Sequence, residues 1–154
     1  MIRFLLSLVL LAGLTGAASA HERSRSNSAW TETETGLTGR IYLDARQATL
    51  FLSLTDEGTT LESAYQQRMV DGLRVARGDM ACTLDAPPSV RLRADGRLEG
   101  QANWICDAQG QIEIGVQVFS PLSANHVHFI RLESAGGVQE RILSRGQTTA
   151  SFGE

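Results

Sequence analysis

Short β-like segments separated by turn residues dominate the second half of the chain. They recur between residues 80 and 144, and turns such as Asp95-Gly96 and Ala135-Gly136-Gly137 separate several of them. Apolar and polar residues alternate from residue 112 to 118, which is typical of a strand with one buried face. This succession predicts a mainly β (α+β) fold, an antiparallel sheet or sandwich with one packed helix.

That single helix is predicted at about residues 59–77. Thr59 precedes Glu62 by three residues, the spacing of a capping box at a helix start. A stripe of apolar residues then recurs at helical spacing, and Gly78 is a natural stop. We interpret the stripe as packing against the sheet; its members are Leu61, Tyr65, Met69 and Leu73.

Three further strands are expected before the helix, one of them over the β-favouring residues 40–43. The polar segment over residues 22–36, in which Trp30 is the one large apolar residue, is interpreted as a first strand that runs into a turn. Leucines at positions 50, 52 and 54 would share one face of an extended chain, so residues 48–54 are also predicted to form a strand.

The first twenty residues have the order of a secretory signal peptide. A basic start ending at Arg3 is followed by an apolar run over residues 4–14 and by Ala18-Ser19-Ala20. The apolar run is much shorter than the roughly 20 residues that a membrane-spanning helix needs. We therefore predict cleavage after residue 20, a mature chain that begins at His21, and a periplasmic or secreted location.

Length and charge limit the remaining choices. After the signal peptide (residues 1–20), the chain has the usual size of one domain, and we expect a single β-rich domain over residues 21–145 and a polar tail over residues 146–154. Lysine is absent, and 14 basic residues face 17 acidic ones. Because phosphate binding needs several cationic side chains, no nucleic-acid partner is expected.

Cys82 and Cys106 are the two cysteines of the chain. Export would place them in a compartment where disulfides persist, so a disulfide between them is predicted. Closing a loop of about 25 residues would stabilise the fold by roughly 3 kcal/mol. A pair of thiolate metal ligands is the alternative that the spacing leaves open.

The three histidines are the strongest candidates for a binding site. His126 and His128 form an H-x-H pair that would project from one face of a strand. Cleavage would make His21 the amino terminus, where its α-amine and ring nitrogen can chelate one ion. Nitrogen-rich sites of this kind suit copper first and nickel next. We therefore expect a candidate copper or nickel site, with buried hydrogen-bonded histidines as the alternative.

Signatures of enzymes are absent from the sequence. It contains no H-E-x-x-H, G-x-S-x-G, C-x-x-C or phosphate-loop pattern. A three-histidine zinc enzyme would need a chain terminus as one ligand and has no marked general base. We expect no enzymatic activity and keep a metal-dependent enzyme as a distant alternative.

Several short motifs along the mature chain carry a family resemblance. They are Ala20-His21-Glu22-Arg23-Ser24-Arg25-Ser26 with Trp30, Ala81-Cys82, Trp104-Ile105-Cys106, Val118-Phe119, His126-Val127-His128-Phe129-Ile130-Arg131 and Glu140-Arg141-Ile142-Leu143. This set resembles the soluble N-terminal periplasmic region of HupE/UreJ-type bacterial membrane proteins. In that family a β-rich extracytoplasmic region precedes a multi-helix membrane part associated with nickel or related metal handling.

The resemblance implies either a free-standing periplasmic relative of the soluble part or a piece of a longer protein cut at the membrane boundary. The sequence reaches Glu154 without a membrane helix, so transport by the membrane part is not carried over. We expect a binding or accessory module for a membrane-protein partner, with a transition-metal ion as candidate ligand. A purely structural or interaction domain without a metal site is the alternative.

Overall fold

The structure, a computed structural model, describes residues 24–53, 57–120, 122 and 124–153. It confirms the mainly β fold. The described residues form these strands: β1 (Arg25–Thr33), β2 (Gly36–Asp44), β3 (Leu73–Arg77), β4 (Met80–Ala81), β5 (Thr83–Leu84), β6 (Ser89–Leu92), β7 (Arg97–Ile105), β8 (Ile112–Val116), β9 (Val127–Ser134), β10 (Gly137–Leu143) and β11 (Thr149–Phe152). Two helices accompany them, α1 (Ala45–Leu52) and α2 (Leu61–Gly72).

Two sheets share one hydrophobic core. The larger has seven strands in the order β10-β9-β1-β2-β7-β5, with β6 also paired to β7. The smaller has four antiparallel strands in the order β11-β8-β3-β4. The larger sheet is mixed because β1 and β9 run parallel, whereas its other pairs are antiparallel. This parallel pair joins the start of the domain to a strand near its end.

The middle of the core is built around Trp30. Burial alternates along β1, and the Trp30 side chain is 1% exposed. Its ring packs on Trp104, with 5.0 Å between ring centroids. Gly39 lies opposite on β2, and a Cβ atom there would stand 2.7 Å from the indole. The absence of a side chain at Gly39 therefore makes room for the indole.

Helix α2 differs from the prediction at both ends. Its cap is Thr60 rather than Thr59, and the Ser63 backbone N–H donates to the Thr60 hydroxyl at 3.2 Å. The helix ends at Gly72, so the predicted extension to residue 77 is wrong. The next five residues form β3, because they pair with β8 in the smaller sheet.

The predicted strand over residues 48–54 is also wrong within the described residues. Helix α1 covers Ala45–Leu52 and begins where the Arg46 N–H donates to the Asp44 carboxylate at 2.8 Å. Ala48 is buried on the helix face toward the core. A short apolar run does not by itself distinguish a buried strand from a helix.

The segment expected to be a polar tail contains strand β11. Its residues Thr149–Phe152 pair with β8, and the alternate side chains Ala150 and Phe152 are buried. The polar tail over residues 146–154 is therefore wrong for these four positions. Two apolar residues at strand spacing complete the edge of the smaller sheet.

The disulfide between Cys82 and Cys106 is confirmed. Cys82 lies between β4 of the smaller sheet and β5 of the larger, and Cys106 follows β7. Nearby, the buried Arg77 of β3 forms an ion pair with Glu32 of β1. Two links thus join the sheets at this end of the domain, and the disulfide is consistent with an oxidising, extracytoplasmic location.

The signal peptide prediction falls on residues 1–20, which lie outside the described residues. Within the part of the chain that the structure describes, no helix is long and apolar enough to cross a membrane.

Replacing both cysteines by serine should lower the free energy of unfolding by about 3 kcal/mol, because the bond closes a loop between residues 24 positions apart. Urea unfolding of the oxidised wild type and of the Cys82→Ser/Cys106→Ser variant would measure the difference. Wild type in reductant is the matched control and should approach the variant. A loss below about 1 kcal/mol would contradict a stabilising role for the bond.

Candidate functional site

His126 and His128 lie at the opposite end of β1 from the Arg77–Glu32 ion pair. Both are buried, with 7% and 3% of their surfaces exposed. They project from one face, as the H-x-H spacing predicts. Parallel pairing places Ser26 beside His128 and Arg25 beside Val127. The start of β1 therefore lies against the histidines.

Serine hydroxyls alternate with the two imidazole rings in what we call the serine–histidine array, formed by Ser24, His126, Ser26, His128 and Ser28. Ser24 Oγ lies 2.6 Å from His126 Nδ1, and Ser26 Oγ lies 2.7 Å from His126 Nε2. Ser26 Oγ is also 2.6 Å from His128 Nδ1, and Ser28 Oγ is 2.8 Å from His128 Nε2. Every ring nitrogen of the pair has a hydroxyl partner.

The array follows from the strand period. Inward-facing side chains of β1 recur every second residue, and so do those of β9. In the parallel register, Ser26 comes between the two rings. Sequence reasoning missed the serines, although S-x-S-x-S over residues 24–28 has the same period as H-x-H.

Burial determines the charge of the histidines. It lowers the pKa of His126 to about 4. It lowers the pKa of His128 to about 3, and repulsion from a protonated His126 adds to this effect. The Phe119 ring packs against both imidazoles, with centroid distances of 5.0 Å and 4.8 Å. Both rings are therefore neutral at neutral pH.

A cavity of about 290 Å³ adjoins the array, and we call it the histidine cavity. Besides the two imidazoles, apolar side chains, hydroxyl-bearing side chains and one guanidinium line this cavity. They are Val116, Phe119 and Leu143, then Ser120, Ser144 and Thr148, and finally Arg145. Arg145 is exposed, and its guanidinium has no ion-pair or hydrogen-bond partner among the described residues. The cavity thus combines a buried neutral wall with an unpaired cation at its rim.

Two of the three predicted metal ligands, His126 and His128, lie within the described residues. His21 lies outside the described residues. Among residues that are described, no three or more histidine, cysteine or acidic side chains form a group that could hold a metal ion. The cysteines are joined to each other, which removes the alternative of thiolate ligands.

The histidines should make stability depend on pH. Burial lowers the folded-state pKa of His126 from 6.5 to about 4, so the unfolded chain binds more protons in this window. We expect the free energy of unfolding to decrease as the pH is lowered below 6.5. The decrease is up to about 1.4 kcal/mol per pH unit for each buried histidine. Urea unfolding at several pH values, in chelator, would measure the slope.

The His128→Gln variant is the control for that slope and should lose about half of it. Carboxylates contribute at lower pH, since Arg97 holds the pKa of Asp95 at about 2 and Arg93 lowers that of Glu99. A wild-type stability that stays constant from pH 7 to about 5 would contradict neutral buried histidines.

Comparison with known proteins identifies no family for this chain. The HupE/UreJ-type resemblance therefore stays a prediction from short motifs. Neither the protein-family models nor the curated proteins compared with this chain match it.

Proposed function

We propose that the protein is an extracytoplasmic binding or accessory module whose ligand occupies the histidine cavity. The observation that supports this is the exposed Arg145 guanidinium, which is unpaired among the described residues and lies at the rim of a cavity with a buried polar and aromatic wall. Ligand sites are typically concave and largely apolar, with a few polar groups that orient the ligand. The combination favours a site over a packing defect.

The lining favours a small anion with a short apolar body, such as a short-chain carboxylate. A guanidinium can bind both oxygens of a carboxylate, and the hydroxyls of Ser144 and Thr148 can donate further hydrogen bonds. Phe119 and Leu143 would contact the apolar part. A volume of about 290 Å³ lies at the lower limit for ligand pockets, which restricts the size of the ligand.

We propose binding rather than catalysis. A general base needs a lone pair within reach of the substrate, and each ring nitrogen of His126 and His128 faces a serine hydroxyl instead. Ser26 and Ser28 are 5% and 4% exposed, so neither is an accessible nucleophile. The accessory role beside a membrane-protein partner is supported by the family resemblance alone.

Titration of the mature protein with acetate, butyrate and benzoate tests the cavity. We expect saturable changes in amide NMR signals around Phe119 and Arg145, and weaker binding in Arg145→Gln because the anion loses its cation. Arg40→Gln removes the same charge from an exposed position of β2 and should bind like wild type. No saturable change with any of the three, or equal binding by the two variants, would refute the proposal.

The rival function is a copper or nickel site, and one observation favours it. Parallel pairing of β1 with β9 holds Ser24 Oγ 2.6 Å from His126 Nδ1. His21 is three positions before Ser24 in the sequence, which gives the chain a reach of at most roughly 10 Å. A chain of this length permits a site shared by the His21 amine and His126, and the array would have to release one ring nitrogen to complete it.

Metal titration of two mature forms tests this rival. One begins at His21, and the other carries one extra alanine before it, which destroys the amino-terminal chelate but keeps every side chain. A site at His21 predicts much tighter Cu(II) and Ni(II) binding by the first form. Equal affinities would exclude the amino-terminal site, and unchanged affinity in His126→Gln would exclude His126 as a ligand.

A further inference from the structure

The hydrogen bonds of the serine–histidine array can run in two directions when Ser26 donates to one ring and accepts from the other. A neutral imidazole has one N–H and one lone pair, and a hydroxyl donates one hydrogen. Each ring has a hydroxyl on both sides at 2.6–2.8 Å. If Ser26 accepted from both rings, its own buried hydrogen would have no acceptor in the array, so Ser26 donates to one ring and donors alternate with acceptors. The direction of the hydrogen bond at one end of the array therefore determines which nitrogen of each ring is protonated.

Trp30 stands at the inner end of the array. Its indole Nε1–H, which can only donate, donates to Ser28 Oγ at 2.8 Å. If His128 Nε2 also donated to this oxygen, the buried Ser28 hydroxyl would keep a hydrogen with no acceptor in the array. In the opposite direction Ser28 accepts from Trp30 and donates to His128 Nε2, which satisfies both groups. Unsatisfied buried donors are rare because they are costly.

We propose that Trp30 sets the direction of the whole array and thereby holds His126 and His128 in the Nδ1–H form. From Ser28, the donors are then the Ser28 hydroxyl, His128 Nδ1, the Ser26 hydroxyl and His126 Nδ1. Each step follows from the previous one, because a hydroxyl that accepts from one ring donates to the next. Trp30 acts as a positioning residue for both rings.

This direction decides which ligands the histidines can take. A metal ligand needs an unprotonated nitrogen facing the ion. His126 Nδ1, which faces Ser24 and thus the amino-terminal side, carries a proton while the array is intact. Coordination there would require the Ser24–His126 hydrogen bond to be lost and the other three hydrogen bonds of the array to reverse. The inference weakens the rival metal site and is independent of the anion proposed for the histidine cavity.

Nitrogen-15 NMR of the mature protein at neutral pH, in chelator, tests the direction. Long-range ¹H–¹⁵N correlations distinguish a protonated ring nitrogen from an unprotonated one. We expect both wild-type histidines to be protonated at Nδ1 and unprotonated at Nε2. Protonation at Nε2 in either ring would overturn the proposal, and this measurement needs no variant.

Trp30→Phe tests the role of the indole, because phenylalanine keeps an aromatic ring but removes the N–H. We expect His128 and His126 to change from one tautomer to a mixture, and Cu(II) affinity to rise several-fold in a manner abolished by adding His126→Gln. Trp104→Phe alters the ring that packs on Trp30 but not its N–H, so the tautomers should stay as in wild type. Unchanged tautomers in Trp30→Phe would overturn the proposal.

A second variant covers the case in which Trp30→Phe does not fold. Ser28→Ala removes the hydroxyl that connects Trp30 to His128 and changes little volume. We expect His128 to lose its single tautomer in this variant, whereas a retained Nδ1–H form would refute the link. Carboxylate binding in the histidine cavity is measured separately, so failure of either proposal is distinguishable from failure of the other.

Discussion

The parallel pairing of β1 with β9 joins segments about a hundred residues apart in sequence, and the rest of the site depends on it. It places β1 inside the larger sheet, between β9 and β2. It also sets the serines against the histidines in one register. A shift of one residue would turn Ser26, Ser28 and Trp30 outward, because side chains alternate between the faces of a strand. The buried hydrogen bonds and the core therefore favour the same register.

Local sequence patterns were sufficient to predict those elements whose structure depends mainly on their own residues. Alternating residues predicted β8, Asp95-Gly96 predicted the turn that separates β6 from β7, and the cysteine pair predicted the disulfide. Residues 48–54 and 149–152 were misjudged, because packing against distant elements decides short segments. The H-x-H pair was visible, but its serine partners depend on a parallel register that no local pattern contains.

The two ends of the domain are built from different chemistry. At one end a covalent bond and the Arg77–Glu32 ion pair link the sheets. At the other, neutral polar groups form the array, and Phe119 from the turn after β8 covers both rings. The histidine cavity lies at this second end. A ligand proposed for this cavity would therefore bind at the end of the domain away from the disulfide.

The sharing of Ser26 between two rings has a consequence for how the site can evolve. Loss of any one member leaves a buried neighbour without a partner, so single changes within the array are unfavourable. Replacement of the whole group by apolar residues would remove that penalty. Across descendants of this protein the five positions of the serine–histidine array should therefore be inherited together or lost together. Arg145, at the rim of the histidine cavity, should vary independently of them.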